Sequence, residues 1–518
     1  MIDYSVDRDS DIPLYIQIRD SITAAIREGR LAPGDRLPPV SALAKEIGVT
    51  QATIRRALQD LSDAGHAACH VGRGTFIRDS ETSPQPTATG SAAPRTHFLS
   101  NSGQRQAPAP NPLEFAAKRL RSGVRKALVD IMPLTNKPGI IQLTRGIPDG
   151  RLLPENFLAE ATTETIMGGA DQFVEATDEL GLYELREEIA MRFNEDGADI
   201  TPDQVLITNG AMQAISLVAQ AALENRPSIL CETPCFQGIP DAFSAMGHWV
   251  ETIPRDSQGP LTERLYHHQS SQEQLLYLCP YLHNPTGADL SPERHFELAE
   301  WAEKTGSVIV ADELFKELHF DEHPPPSLFN TLGEKQTIVV SSMSKSIMTG
   351  LRLGWLISSP ERVRELAQHK RLMDHSTPAL IQGIALTIFK SGKFDSHTLA
   401  MKKIYQERMK TMLNFLQKLM PKGVRWSEPA GGFSLLVELP QGYSSVALLL
   451  SSTEKGVSFL PGPLFDIDHR YVHALRLSTA WADKNEIQEG IELLASAIEE
   501  LIRHPAGDSG LSGLGNFQ

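Results

Sequence analysis

The first eighty residues carry a helical pattern of apolar positions. One amphipathic helix is predicted where apolar side chains recur every four positions, at Leu14, Ile18, Ile22 and Ile26. A second, shorter helix is predicted over residues 40–47, after the Pro38-Pro39 pair. A third begins after Thr50, a favourable N-cap. Its buried stripe would be Ile54, Leu58 and Leu61. Two short helices joined by a tight turn have the spacing of a helix-turn-helix.

A short hairpin is predicted after the third helix, with its tip at Gly72-Arg73-Gly74. Glycines at such a tip let the backbone approach a phosphate or a groove closely. A bare helix-turn-helix also fits a helical packing or dimerisation module, and the hairpin favours DNA binding over that alternative. We therefore predict a DNA-binding domain over residues 1–80.

The third helix is predicted to expose polar and basic side chains to DNA. Residues at the start of such a helix meet base edges, and its arginines reach guanine or phosphate. Basic residues outside the helix would contact phosphates and fix the register. The predicted DNA-binding residues are Arg36, Lys45, Thr50, Gln51, Thr53, Arg55, Arg56, Arg73 and Gly74.

The composition changes after residue 80. Residues 81–112 are rich in Pro, Ser, Ala and Thr, which predicts a linker. Over 113–505, helical patterns alternate with short β-branched strands, and this alternation predicts a mostly parallel sheet covered on both faces. The Gly/Ser-rich residues 506–518 are predicted to be a disordered tail.

Charge and composition limit the class of protein. The net charge of −15 excludes a chain that coats nucleic acid with its whole surface, whereas residues 1–80 hold 10 Lys/Arg and 11 Asp/Glu. Acidic residues interrupt the N-terminus, and no apolar run approaches the ~18 residues of a membrane helix. The four cysteines form no CxxC pair. We expect a reduced cytoplasmic protein, of bacterial type, without a metal site or a membrane partner.

Several motifs of the large domain place functional groups just beyond predicted strands. Gly210 begins a helix whose first N–H groups, on Ala211 and Met212, would form an anion site suited to a phosphate. Phe236 follows a buried strand, where an aromatic ring can stack on a planar ligand. Asn284 lies in an Asn-Pro-Thr-Gly turn, from which its amide can donate a hydrogen bond. Taken singly, each motif also fits ordinary turns and core packing.

Two further strand ends carry the decisive chemistry. Asp312 ends an apolar strand and would point into the ligand crevice of an α/β sheet, although it could also cap a helix. Lys345, just beyond the next strand, suits a nucleophile that forms a Schiff base with an aldehyde. Hydroxyl and guanidinium donors for a dianionic phosphate are present nearby, at Ser342, Ser344 and Arg352.

These motifs carry two resemblances. Residues 14–77 resemble the winged helix-turn-helix of the GntR family. Residues 140–500 resemble the class I/II aminotransferases of fold type I. The combination looks like the MocR subgroup of bacterial transcription regulators. The resemblance implies a multidomain homodimer. Its N-terminal domain would be mainly α with a β wing, and its α/β domain would have a large mostly parallel sheet and a smaller C-terminal subdomain.

The resemblance also implies pyridoxal 5'-phosphate (PLP) as cofactor and assigns roles to residues. Lys345 would form the internal aldimine and Asp312 would pair with the pyridine nitrogen. Asn284 would donate to the ring phenolate, and Phe236 would stack on the ring. The phosphate would be held by Ala211, Met212, Ser342, Ser344 and Arg352. The substrate would be bound by Arg476, Gly146 and Asn284, with Arg476 clamping an α-carboxylate.

Two positions depart from the family pattern. Where the family has a tyrosine that donates to the phenolate, this chain has Phe315. Ala176 occupies the position of a second tyrosine, which reaches the phosphate in the partner subunit. We expect the first loss to raise the pKa of the Schiff base and to retune the chemistry without abolishing cofactor binding.

Three functions are consistent with the sequence. The first is a regulator that binds double-stranded DNA and senses PLP, an amine or an amino acid. The second is a working aminotransferase with an appended DNA-binding domain. The third is a PLP-binding scaffold whose DNA-binding domain has degenerated. The intact helix-turn-helix and hairpin, together with Phe315, favour the first.

Overall fold

The computed structural model describes residues 6, 14–32, 35, 37–63, 67–70, 74–77, 132–135, 137–225, 228–267, 273–321, 324–468 and 470–503. The predicted linker 81–112, the predicted tail 506–518, Arg36 and Arg73 lie outside these residues. The domain boundaries drawn through those segments therefore stay predictions.

The N-terminal domain has its predicted elements. They are α1 (Leu14–Arg27), α2 (Val40–Ile47), α3 (Gln51–Asp63), β1 (Ala67–His70) and β2 (Gly74–Ile77). The Thr50 hydroxyl accepts a hydrogen bond from the Thr53 amide at 3.2 Å, so the predicted N-cap is confirmed. The apolar stripe of α1 packs on that of α3 in one buried cluster, to which Ile77 of the antiparallel hairpin also belongs.

The large domain alternates helices with strands. Its helices are α4 (Phe157–Met167), α5 (Tyr183–Glu195), α6 (Ala211–Asn225), α7 (Gly238–Ala245), α8 (Thr262–His267), α9 (Pro292–Thr305), α10 (Leu328–Leu332), α11 (Pro360–Asp374), α12 (Ala379–Lys390), α13 (Lys393–Leu419), α14 (Ser445–Lys455) and α15 (Lys484–Arg503). Its strands are β3 (Ile141–Gln142), β4 (Val205–Thr208), β5 (Ser228–Thr233), β6 (Val250–Pro254), β7 (Gln274–Leu278), β8 (Val308–Asp312), β9 (Thr337–Ser342), β10 (Gly354–Ile357), β11 (Arg425–Trp426), β12 (Ser434–Glu438), β13 (Val457–Ser458), β14 (Leu460–Pro461) and β15 (Ala474–Ser478).

Seven strands form the central sheet in the order β4-β10-β9-β8-β7-β5-β6. Only β10 runs antiparallel to its neighbours β4 and β9, so the sheet is mixed but mostly parallel, as predicted. Alternate residues of β4 enter different cores: Leu206 packs in one cluster, and Val205 and Ile207 pack in another. Helices therefore cover both faces of the sheet, and its polar ligand groups are confined to the strand ends.

A smaller subdomain follows the sheet along the chain. Strands β11, β12, β15 and β14 form an antiparallel sheet against α13, α14 and α15. The short parallel pair β3–β13 joins the start of the large domain to this subdomain. That pairing brings residues 144–146 next to β15, where Arg476 lies. No helix among the described residues is long and apolar enough to cross a membrane.

Candidate active site and nucleic-acid interface

A cavity of about 180 Å³ lies at the carboxyl edge of the central sheet. The predicted cofactor residues come from five separate segments, and all nine line this cavity: Ala211, Met212, Phe236, Asn284, Asp312, Ser342, Ser344, Lys345 and Arg352. Because parallel strands end at the same edge of a sheet, groups that are distant in sequence converge there. The roles of these residues remain predictions, and the fold brings them to one place.

Lys345 is one of the residues that line the cavity. Its Nζ donates a hydrogen bond to the Gly146 carbonyl oxygen at 2.7 Å. Burial lowers the pKa of its amine to about 8, the nearby Arg476 guanidinium adds to this, and Asp312 opposes it. A substantial fraction of the amine is therefore neutral near neutral pH, which is the state that can attack an aldehyde.

Asp312 is held from two sides. The Tyr277 hydroxyl donates to Asp312 Oδ2 at 2.6 Å, and the Leu314 amide donates to Oδ1 at 3.1 Å. Burial raises the pKa of Asp312, whereas these hydrogen bonds and Lys345 counteract the rise. The carboxylate is thus oriented by its neighbours before any ligand arrives. Sequence reasoning missed Tyr277, which is a hydroxyl-bearing residue in the otherwise apolar run Leu-Leu-Tyr-Leu of β7.

The predicted phosphate site forms a cradle around Gly210. This glycine has φ +82°, and a Cβ there would lie 2.8 Å from Arg352 Nη2, so no side chain fits. The Arg352 guanidinium donates to the carbonyl oxygens of Thr349 and Asn209 at 3.2 and 3.4 Å. A backbone helix start, an exposed guanidinium and two serine hydroxyls therefore surround a space suited to a phosphate.

The rim of the cavity carries an aromatic ring. Phe236 is 46% exposed, which is unusual for a large apolar side chain beside a buried strand. A Cβ on Gly238 would lie 2.7 Å from Phe236 Cε1, so the glycine leaves room for the ring. An exposed aromatic ring among the residues that line the cavity suits stacking on a planar cofactor.

Arg476 is buried behind the cavity. It is 3% exposed, and burial lowers its pKa to about 10. Its Nη1 donates to Asn284 Oδ1 at 3.3 Å and its Nη2 to the Thr144 carbonyl oxygen, whereas its Nε has no hydrogen-bond partner. This burial excludes a surface ion pair as the role of Arg476. A buried guanidinium with a free N–H suits a carboxylate ligand.

Gly146 and Asn284 complete the predicted substrate side. A Cβ on Gly146 would lie 3.1 Å from Arg476 Nη1, so this glycine lets the guanidinium approach the backbone. The amide oxygen of Asn284 accepts from Arg476, which directs its NH₂ group away from that arginine. That orientation suits the predicted donation to a phenolate.

Phe315 fills the position of the missing tyrosine with an apolar ring. It packs edge-on against Phe433 with the ring centroids 5.4 Å apart. The Lys345 amine lies 5.3 Å from the Phe315 ring centroid. This phenyl ring cannot donate a hydrogen bond.

The predicted DNA-reading face of α3 differs from expectation. We expected Gln51, Thr53, Arg55 and Arg56 to be exposed, but all four are partly buried. The expectation is wrong because α3 packs against α10, and α9 also contacts α3. Lys45 is exposed on α2, and Gly74 begins β2 of the hairpin.

Comparison with known families matches both parts of the chain. The family described as aminotransferase class I and II matches residues 138–494. The family described as bacterial regulatory proteins, gntR family, matches residues 14–77. The two matches fall on the sheet domain and on the helical domain with its hairpin.

Individual relatives are of two kinds. The 2-aminoadipate transaminase of Thermus thermophilus is 31% identical over 72% of this chain and 94% of its own length. The HTH-type transcriptional regulator YdfD of Bacillus subtilis, described as uncharacterized, is 25% identical over 95% of this chain and 97% of its own. The first kind matches the large domain only, and the second matches nearly the whole chain.

Solved structures support the fold of the large domain. The alpha-aminoadipate aminotransferase LysN from Thermus thermophilus superposes with a TM-score of 0.65 at 31% identity, over 71% of this chain and 94% of that one. Pyrococcus horikoshii kynurenine aminotransferase gives a TM-score of 0.68 at 26% identity, over 72% and 94%. The first contains N-(5'-phosphopyridoxyl)-L-leucine and the second contains PMP, and the cavity described above fits the related cofactor PLP. PLP is therefore the cofactor of the large domain.

The chain belongs to the aminotransferase class I and II family, carries an N-terminal domain of the GntR family of bacterial regulatory proteins, and has the domain combination of the MocR subgroup.

Proposed function

We propose that this protein is a transcription regulator whose large domain binds PLP and responds to the cofactor itself or to an amine or amino acid. The observation that carries the proposal is one cavity lined by all nine predicted cofactor residues, in the same chain as a GntR-type domain. Relatives named as HTH-type regulators extend over both parts of the chain, which supports regulation as the shared purpose.

Each cavity residue would have its own role in binding the cofactor and the effector. Lys345 supplies the nucleophilic amine, and Asp312, oriented by Tyr277, would keep a proton on the pyridine nitrogen. When bound, PLP supplies an aldehyde carbon that condenses with amines. Arg476 would bind the carboxylate of an incoming amino acid, for which its unpartnered Nε–H is available. These roles suffice for selective binding of an effector.

Phe315 favours sensing over rapid turnover. A hydrogen bond to a charged group contributes about 1.5–3 kcal/mol. Its absence at the phenolate can slow a chemical step by about one to two powers of ten. A regulator needs only binding and a conformational difference between its two states.

A second candidate function is transamination, because Lys345, Asp312 and Arg476 are all in place. The two candidates separate in one experiment, in which the purified protein is mixed with a panel of amino acids and 2-oxoglutarate. Absorbance and product are followed together. Spectral shifts without repeated turnover support the regulator. Turnover in the ordinary range of ~1–10³ per second would establish the enzyme instead. In Phe315→Tyr, restored donation should raise any residual turnover.

We also propose that the protein is a homodimer through its large domain. Large apolar side chains remain exposed on the large domain, and the most exposed of the described residues are Met167 at 81%, Val174 at 82% and Leu372 at 84%. Such exposure favours an interface with a second copy. Two DNA-binding domains on linkers of 32 residues could reach half-sites separated by about 30 Å. Sedimentation of a monomer at micromolar concentration, with PLP bound, would contradict the dimer.

The regulator itself is tested by selecting duplexes from a random pool with the full-length protein, with and without PLP. We expect a two-fold sequence whose recovery depends on PLP, and a protein acting in the bacterial cytoplasm. Failure to enrich any sequence in either condition would sink the proposal.

A further inference from the structure

The N-terminal domain touches the large domain through its DNA-reading helix. The Thr53 hydroxyl donates to Glu303 Oε1 of α9 at 3.4 Å, and the Thr50 side chain is a second donor to the same carboxylate. The Arg56 guanidinium lies 4.1 Å from the Tyr15 ring centroid and 5.4 Å from that of Phe296. Phe296 and Glu303 are seven residues apart on α9 and therefore lie on one face of that helix. We call this face, together with α10, the docking face.

The contact is polar and limited. Every buried apolar cluster of the described residues belongs either to the N-terminal domain or to the large domain, and none joins the two. Each domain thus keeps its own core when they separate. An interface without shared apolar burial can open without unfolding either side.

The contact also competes with DNA for the same groups. Thr50, Thr53 and Arg56 are side chains predicted to meet phosphates or base edges, and here their partners are a carboxylate and an aromatic ring. A carboxylate offers the acceptor oxygens that a phosphate would offer. The docking face therefore presents a substitute for DNA.

In the docked arrangement, Arg55 of α3 keeps a hydrogen-bond donor without an acceptor. Its Nη2 donates to Gln51 Oε1 at 2.9 Å, but its Nη1 is buried without a hydrogen-bond partner. A buried donor without an acceptor disfavours the docked arrangement. Phosphates or guanines could supply that acceptor.

We propose that the docking face of α9 and α10 is an intramolecular binding surface for the recognition helix α3, and that it holds the N-terminal domain in a form that cannot bind DNA. This surface deepens the proposed regulatory function and rests on it. Its partner is the helix-turn-helix of the same chain. DNA binding then requires release of Thr53 and Arg56 from Glu303 and Phe296.

The docking face is structurally connected to the cofactor cavity. Ser327, the N-cap of α10, donates its hydroxyl to Glu313 Oε1 at 2.6 Å, and the Leu328 amide donates to the same oxygen at 3.3 Å. Glu313 directly follows Asp312, which lines the cavity. A shift of the β8 terminus on ligand binding would therefore move the start of α10 directly.

The test uses the full-length, PLP-loaded protein and a duplex obtained by selection. The double variant Phe296→Ala with Glu303→Gln removes contacts on the large domain only, so no predicted DNA contact is changed. Its Kd for the duplex should fall about three- to tenfold, because the DNA-competent fraction rises. Glu499→Gln is the matched control: it removes an equal charge from α15 of the same domain, where Glu499 pairs with Arg503 four residues further along that helix. That control should stay within about twofold of wild type.

A second readout does not depend on DNA. Hydroxyl-radical oxidation of the Phe296 ring, mapped by mass spectrometry, should be low in wild type and should rise in Glu303→Gln but not in Glu499→Gln. Unchanged oxidation in Glu303→Gln together with unchanged DNA affinity in the double variant would overturn the docking surface and leave the regulator intact. If no variant binds any duplex, the regulatory proposal fails, and the oxidation pattern still decides whether α3 docks.

Discussion

The cofactor cavity and the recognition helix both carry groups suited to phosphate. In the cavity these groups face open space, whereas on the helix they are covered by other parts of the chain. In the cavity, Arg352 and the start of α6 face an open space, and their supporting contacts come from backbone carbonyl groups. On α3, Arg55 and Arg56 lie against other parts of the same chain. A ligand site built at the edge of a packed sheet is preorganised, whereas one on a separate domain can be covered by its own protein.

The largest expected effect comes from replacing the lysine of the cofactor cavity. Lys345→Ala should abolish the borohydride-reducible absorbance of the purified protein, because no other described lysine lines the cavity. The change is measured by visible spectra before and after reduction. Lys316→Ala, on the same domain but paired with Asp196, is the control and should keep its colour. A reducible chromophore that survives in Lys345→Ala would show that the wrong lysine was assigned.

The cavity should also show a distinctive pH dependence. With the pKa of Lys345 lowered to about 8, its amine is protonated below that pH and neutral above it. Because only the neutral amine attacks the aldehyde, PLP uptake by the apo-protein should accelerate about tenfold per pH unit up to pH ~7 and level off above ~8. Stopped-flow absorbance follows the rate. A plateau reached only near pH 10 would mean that burial does not perturb this amine.

Arg476 tests whether the cavity selects carboxylates. Arg476→Ala should raise the Kd of an amino acid about 10- to 100-fold, since hydrogen bonds to a charged group contribute about 1.5–3 kcal/mol. The amine that lacks the carboxylate should bind wild type and variant within about twofold. Titration by visible absorbance gives both values. Equal losses for the two ligands would assign Arg476 a structural role.

Substitutions in the recognition helix should have a smaller effect, on DNA binding, and its size depends on whether Arg55 contacts a base. Arg55→Ala should weaken specific DNA binding by about 1–3 kcal/mol and relax specificity if Arg55 reads a base. Removing its buried, unpartnered Nη1 also stabilises the docked state, which adds to the loss of DNA binding in the full-length chain. Fluorescence anisotropy of a labelled duplex, measured at several salt concentrations, separates base reading from phosphate contact. Loss of a phosphate contact changes the slope of affinity against salt concentration, whereas loss of a base contact does not. Unaltered affinity and specificity in the Arg55→Ala, Arg56→Ala double variant would remove α3 from the interface.

The smallest expected effect concerns orientation within the cavity. Tyr277→Phe removes the hydroxyl that donates to Asp312 at 2.6 Å and leaves the ring in place. We expect PLP affinity to fall by about three- to tenfold, in line with one hydrogen bond to a charged group in a partly compensated site. Equilibrium dialysis measures it, and a matching shift of the absorbance maximum distinguishes altered cofactor electronics from a general loss of packing. An unchanged spectrum with reduced thermal stability would make Tyr277 only a core residue.

Local patterns were enough to predict most elements and most of the cavity. Strand β9 (Thr337–Ser342) is one of the short β-branched segments on which the predicted alternation of strands and helices rests, and such a segment between turns is typical of a buried strand. Asp312 ends β8 and Lys345 follows the end of β9, as predicted, and both reach the cavity because the carboxyl ends of parallel strands gather at one edge of the sheet. The helix-turn-helix followed in the same way from apolar spacing and from the Thr50 cap.

The sequence by itself thus determined which elements form and which residues carry chemistry at their ends. Only the tertiary structure decided which distant groups meet. Arg476 reaches the Thr144 carbonyl across 332 positions, Tyr277 finds Asp312 on the neighbouring strand, and Glu303 covers Thr53 from another domain. Periodicity describes one element at a time, whereas these contacts depend on strand order and on complementary surfaces between elements, which no local pattern encodes.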